Sequence, residues 1–183
     1  MKKIIMILAF ASALPLALNA QKFITKNGQI SFVSVAPLET IEAHNDQVNA
    51  SLDMASGDFN VKVLMQSFEF KKSLMQEHFN DNYVESDKYP NSSFVGKITN
   101  IRDLDTTKDG TVTVQVKGNL TIHGVTKSID AVGSFQVTEG TLVGTSKFTI
   151  TLSDYNIAIP MVSSGNISKT IDITVKFTLT KLS

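Results

Sequence analysis

The sequence predicts an all-β protein of antiparallel strands, and three observations carry that expectation. Apolar and polar residues alternate with a period of two over most segments after residue 20. Turn signals, among them Asn27-Gly28, Ser56-Gly57, Asp109-Gly110, His123-Gly124 and Glu139-Gly140, break those runs at short spacing. Only residues 71–82 show a helical period, so crossover helices for a parallel sheet are missing. About eight to ten strands of this kind make either a closed barrel or a sandwich, and periodicity alone does not separate the two.

In chain order, the first segment is a leader. Met1-Lys2-Lys3 precedes an apolar run over residues 4–16 and the small-residue ending Leu18-Asn19-Ala20, which is the pattern of a secretory signal cleaved after about Ala20. The apolar run falls short of the about 20 residues a bilayer-crossing helix needs, so no permanent membrane anchor is expected. The protein is therefore expected to be periplasmic or secreted, with residues 21–183 as one domain.

Two short strands, 22–25 and 29–34, flank Asn27-Gly28, a dipeptide that favours hairpin turns. Pro37 interrupts; residues 38–46 and 48–55 then read as two further strands, and Ser56-Gly57-Asp58 as a turn. Residues 59–70 carry Phe59, Val61, Val63 and Met65 on one parity and Leu64, Phe68 and Phe70 on the other, the mark of a strand covered on both faces. In residues 71–82, Leu74, Met75, His78 and Phe79 recur at spacings of three and four opposite Lys71, Lys72, Gln76 and Glu77. That spacing predicts a short amphipathic helix, ended by Tyr89-Pro90, and a lone helix among strands suits the end of a barrel.

Strands are predicted again over 94–101, 141–153 and 170–181, the last with Ile171, Ile173, Val175, Phe177 and Leu179 all on one face. Between them lies the most regular hairpin of the chain. Val112, Val114, Val116, Leu120 and Ile122 are even-numbered, whereas Val125, Ile129, Ala131, Phe135 and Val137 are odd-numbered. This reversal of parity is what a tight turn at His123-Gly124 produces when both strands keep their apolar sides on one face, and Gly124 supplies the positive φ of the corner.

Composition narrows the function. Seventeen basic residues balance seventeen acidic ones, and loss of Lys2 and Lys3 with the leader tilts the charge to about −2, which favours neither nucleic acid nor an anionic surface. The absence of Cys removes a thiol nucleophile, a disulfide framework and a lipoprotein anchor. His44, His78 and His123 show no metal-ligand spacing, and no nucleophile elbow or phosphate loop is present. The acid pairs Glu85/Asp87 and Asp103/Asp105 sit in turn-like, solvent-facing sequence rather than across a cleft. His44 is expected to be solvated, and His123 to satisfy backbone groups near its corner. Neither a cofactor nor a metal is expected, and a binding protein is favoured over an enzyme.

Residues 118–127, with Leu120-Thr-Ile-His-Gly-Val-Thr-Lys127 at their centre, resemble the signature hairpin of the YceI family. The run from His78-Phe79 to Tyr89-Pro90 and Phe94 resembles that family's helix and aromatic strand start, and Ile159-Pro160-Met161-Val162 resembles a late segment of its shorter members. The resemblance implies a lipocalin-like barrel of about eight strands, one short amphipathic helix near its mouth, and an isoprenoid lipid inside, of polyprenyl or isoprenoid quinone type. Its functional positions carry over only as inward-facing linings: Phe32, Phe79, Tyr83, Phe94, Ile98, Val114, Leu120, Ile122, Phe135, Phe148, Ile150, Tyr155 and Phe177, with His78 at the mouth beside a head group. Carriage, storage or stress protection would follow. A packed barrel that engages another protein through its loops is the alternative, and a homodimer is compatible with either.

Overall fold

The computed structural model describes residues 21–182. The alternating runs form β1 (Lys22–Val35), β2 (Thr40–Asp53), β3 (Asp58–Leu64), β4 (Glu69–Phe70), β5 (Asn91–Ile98), β6 (Gly110–Ile122), β7 (Val125–Thr138), β8 (Thr141–Thr151) and β9 (Thr170–Lys181). All pairings are antiparallel in the order β1-β9-β8-β7-β6-β5-β3-β2, and β1 also pairs with β2. Eight strands thus close on themselves, which removes the free edges that an open sandwich leaves. The two-residue β4 hangs on β2 through Ala43 and His44. The leader expected over residues 1–20 lies outside the described residues.

Strand connectivity sorts the loops onto two ends. Residues 36–39, 65–90, 123–124 and 152–169 connect strands at one end; residues 54–57, 99–109 and 139–140 connect them at the other. The helix predicted over 71–82 is α1 (Ser73–His78), continued by a π-helical turn at Phe79–Tyr83, and it belongs to the first end.

The His123-Gly124 hairpin forms as its parity requires. Ile122 pairs with Val125, and His123 and Gly124 take φ of 51° and 73°, the left-handed pair of a two-residue hairpin turn. Along β5 and β6 the backbones close in at Gly96 and Gly118, which face each other beneath the Phe94 ring. A Cβ on Gly118 would sit 2.5 Å from the Gly96 Cα, so neither position has room for a side chain.

Three sequence expectations are corrected. Asn27-Gly28 is not a hairpin turn: β1 runs straight through it, with register shifts against β2 on either side of Gly28. The Phe177 ring fills the space a Gly28 side chain would need, so the glycine serves a bulge and a close contact. The two strands expected over 38–46 and 48–55 are one strand, β2, steadied by buried Asn45, which donates to the Leu64 carbonyl at 2.9 Å and accepts from the Gln47 amide at 2.9 Å. Residues 59–70 are not one doubly covered strand. A 3₁₀ turn at Met65–Ser67 resets the alternation, so Phe59, Val61, Val63 and Phe68 all reach the interior while Leu64 faces out.

Candidate ligand-binding cavity

Inward residues of eight strands converge on an axis that they do not fill. A chamber of about 440 Å³ opens beneath α1, within the size range of small-molecule sites. A second chamber of about 110 Å³ lies deeper. Ile30, Val63, Ser92, Leu120 and Phe148 line both, so they form the partition between them. Around the deep chamber Phe59 lies 6.2 Å from Phe94 and 6.0 Å from Phe177 between ring centroids, and these rings take up much of that half of the barrel.

The positions expected to line a ligand divide accordingly. Phe32, His78, Phe79, Tyr83, Ile122 and Ile150 border the upper chamber; Phe94, Ile98, Val114, Phe135 and Phe177 border the deep one; Leu120 and Phe148 border both. Tyr155 is a correction. Its side chain is buried but lies on neither chamber, and burial pushes its phenol pKa up. Tyr155 ends the 3₁₀ turn Leu152–Tyr155, beyond the last residue of β8 and on the opposite parity to inward Ile150 and Leu152, so strand alternation does not aim its ring at the chamber.

Strand alternation could have supplied Ile171 and Ile173 of β9, which also border the upper chamber. It could not have supplied Ile157 and Ile167, which reach the chamber from the non-repetitive 152–169 connection. Met65 shares the parity of inward Phe59, Val61 and Val63, whereas Phe68 and Phe70 were hidden by the change of parity at the 3₁₀ turn. The cover is aromatic: Phe32, Phe68, Phe70 and Phe79 form a ring cluster with centroids 5.1–5.8 Å apart.

Polar groups of the upper chamber gather at its mouth. Lys72 Nζ donates to Glu39 Oε1 at 3.1 Å and Asn166 Nδ2 to Glu39 Oε2 at 3.3 Å, which joins the β1–β2 turn, the approach to α1 and the 152–169 connection. These hydrogen bonds, that of Lys72 foremost, hold the Glu39 carboxyl below its usual pKa. Deeper in, the Ser34 hydroxyl accepts from the Ser168 amide at 2.9 Å and the Ser92 hydroxyl contacts Met65 Sδ at 3.0 Å. Apart from these groups and His78, Tyr83 and Ser163, the walls left to a guest are hydrocarbon. Among the described residues no group of three or more metal-ligating side chains comes together.

A second polar node braces the mouth end. His123 Nε2 lies 2.6 Å from Glu85 Oε2, and its Nδ1 lies 3.1 Å from the Tyr155 carbonyl oxygen. A neutral imidazole can donate to only one of these acceptors, whereas the cationic ring donates to both. The backbone partner is thus distant rather than local to the corner, and Glu85 is not merely solvated. Tyr89 packs edge-on against His123 with centroids 4.6 Å apart. The hydrogen bond from His123 draws the Glu85 pKa below its ordinary value. His44, by contrast, is exposed, 3.6 Å from Glu69.

Fold and cavity together define an eight-stranded antiparallel barrel with an apolar interior chamber beneath a short helix. The chain belongs to the YceI-like domain family, whose pattern matches residues 22–179. Among solved structures it is similar to a polyisoprenoid binding domain from Saccharophagus degradans, with 15% identity, TM-score 0.76, and 89% of this chain and 99% of the other covered. It is also similar to BcnA of Burkholderia cenocepacia, with 16% identity, TM-score 0.67, and coverage of 83% and 95%. A YceI protein of Campylobacter jejuni matches at 18% identity and TM-score 0.54, with coverage of 77% and 84%. At such identities the likeness is one of fold. No curated protein matches the chain.

Proposed function

We propose that this protein is an exported carrier that encloses the chain of an isoprenoid lipid, polyprenyl or quinone in type, with the tail in the barrel and the head at the mouth. The observation that carries the proposal is the 440 Å³ chamber, apolar along most of its walls, with Glu39, Lys72 and Asn166 joined at its opening. The polyisoprenoid binding domain of the same fold supports that choice of guest. The leader over residues 1–20 supports export to the periplasm or medium.

Energetics favour such a guest. Burial contributes about 0.8 kcal/mol per methylene, so three five-carbon units gain on the order of 10 kcal/mol gross. Loss of ligand freedom costs several kcal/mol, which leaves useful affinity without a specific hydrogen bond. The remaining lining positions act through shape and hydrophobicity, and His78, exposed on the mouth side of α1, faces the head.

Calorimetric titration with prenyl alcohols of increasing length tests this. Affinity should rise with each added isoprene unit until the upper chamber is full and then level off. Affinity independent of chain length, or no heat of binding at any length, contradicts it.

A further inference from the structure

The mouth is surrounded by apolar residues that the barrel leaves in water. Of the nine large hydrophobic side chains that are exposed among the described residues, five lie on the three elements that meet at the opening. They are Val35 and Leu38 at the β1–β2 turn, Leu74 on α1, and Met161 and Val162 on the 152–169 connection. Met161 and Val162 are 91% and 92% exposed, and Leu74 is both exposed and part of the chamber wall. One backbone hydrogen bond and one side-chain contact join the β1–β2 turn to the 152–169 connection: the Leu38 amide donates to the Gly165 carbonyl at 3.0 Å, and the Leu38 side chain lies against Gly165; Lys72 and Glu39 join the approach to α1.

Charge is missing from two of these three elements. The fourteen residues 155–168 contain no acidic or basic side chain, nor do residues 33–38. Lys72 pairs with Glu39 at 3.1 Å and Lys71 with Glu42 at 3.5 Å, while Glu77 of α1 is absent from the chamber lining and Asp154 and Lys169 flank the charge-free stretch. An apolar rim whose two loops carry no charge, continuous with an apolar chamber, fits a hydrocarbon phase rather than a charged partner.

We propose that this rim docks the barrel, mouth down, on the surface of a phospholipid bilayer, with Met161, Val162, Leu38 and Leu74 entering the interfacial region. A lipid tail then passes from bilayer to chamber without crossing water. The docking surface stands on its own exposure and charge pattern; its use in lipid transfer rests on the carrier function proposed above.

The test uses the chain from Gln21 on, whose strands close the barrel by themselves, so that the apolar leader does not bind vesicles in its place. Flotation with zwitterionic phosphatidylcholine vesicles should carry the protein up the gradient, in high salt as well as low. A Met161→Glu/Val162→Glu variant, altered only at side chains in water, should partition at least about tenfold less. Val132→Glu, at an exposed apolar position on β7 away from the rim, should float as the parent does. Protein that stays in the aqueous layer, floats only with anionic vesicles at low salt, or floats unchanged by the rim substitutions overturns docking. So does a dimer that the rim substitutions dissolve while vesicles are ignored. Farnesol binding, measured without vesicles, separates the two proposals. Equal binding by parent and rim variant leaves docking to flotation alone, and no binding by either defeats the carrier function whatever flotation shows.

Discussion

The Phe79 ring, at the end of α1, is stacked on the Phe32 ring of β1 with centroids 5.6 Å apart and planes 28° from parallel. Phe68 and Phe70 touch both rings, so the short helix is fixed to the barrel wall by aromatic contact. Its own length would not keep it helical: six residues of α-helix are far below what is stable alone in water.

Phe79→Ala should therefore loosen the cover more than the barrel. A half-buried ring with such contacts contributes about 2 kcal/mol, so a modest fall in Tm is expected. Release of a bound prenyl probe should accelerate several-fold, measured by stopped-flow exchange. An unchanged release rate would show that ligands do not pass beneath α1.

Phe148 stands between the chambers with Leu120. Phe148→Ala should join them and lengthen the preferred chain by about one isoprene unit, a gain of up to about 4 kcal/mol gross for the longer ligand. Because the ring is only partly buried, the cost in stability should be about 2 kcal/mol, below that of a fully buried Phe. Leu120→Asp should abolish uptake, with circular dichroism used to confirm that the barrel persists. Titration of both variants with a series of prenyl lengths checks these outcomes; an unaltered length preference in Phe148→Ala would mean that the partition does not limit the tail.

The bond from His123 to Glu85 should appear as a pH dependence of stability. Since Glu85 has a lower pKa folded than unfolded, it stabilises the fold above its ordinary value of 4.5, and that contribution is lost as pH falls through the folded value. Thermal melts of the parent and Glu85→Gln should differ above about pH 5, and the difference should shrink as the pH falls through the depressed Glu85 value. A difference independent of pH would remove the carboxylate from the brace.

Much of the barrel was legible because period-two alternation persists wherever a strand has one dry face. β9 and the β6–β7 hairpin, with the left-handed corner at His123-Gly124, are read directly. The errors share a cause, since a bulge at Gly28 and a 3₁₀ turn at Met65–Ser67 each shift the parity without ending the structure. The cavity-facing side of the strands was legible for the same reason as the strands. The mouth was not: Glu39, Lys72 and Asn166 meet across 127 positions of sequence, and no local pattern encodes that meeting. The sequence motifs at Tyr89 and His123 likewise revealed their contact only in three dimensions.

In the proposed function, the chamber under α1 holds an isoprenoid tail. Organic extraction of protein purified from its native host without detergent, followed by mass spectrometry, tests it most directly. An isoprenoid species at close to one molecule per chain is the expected result. Repeated extracts empty of isoprenoid, from protein that also refuses added prenyl compounds, would contradict it.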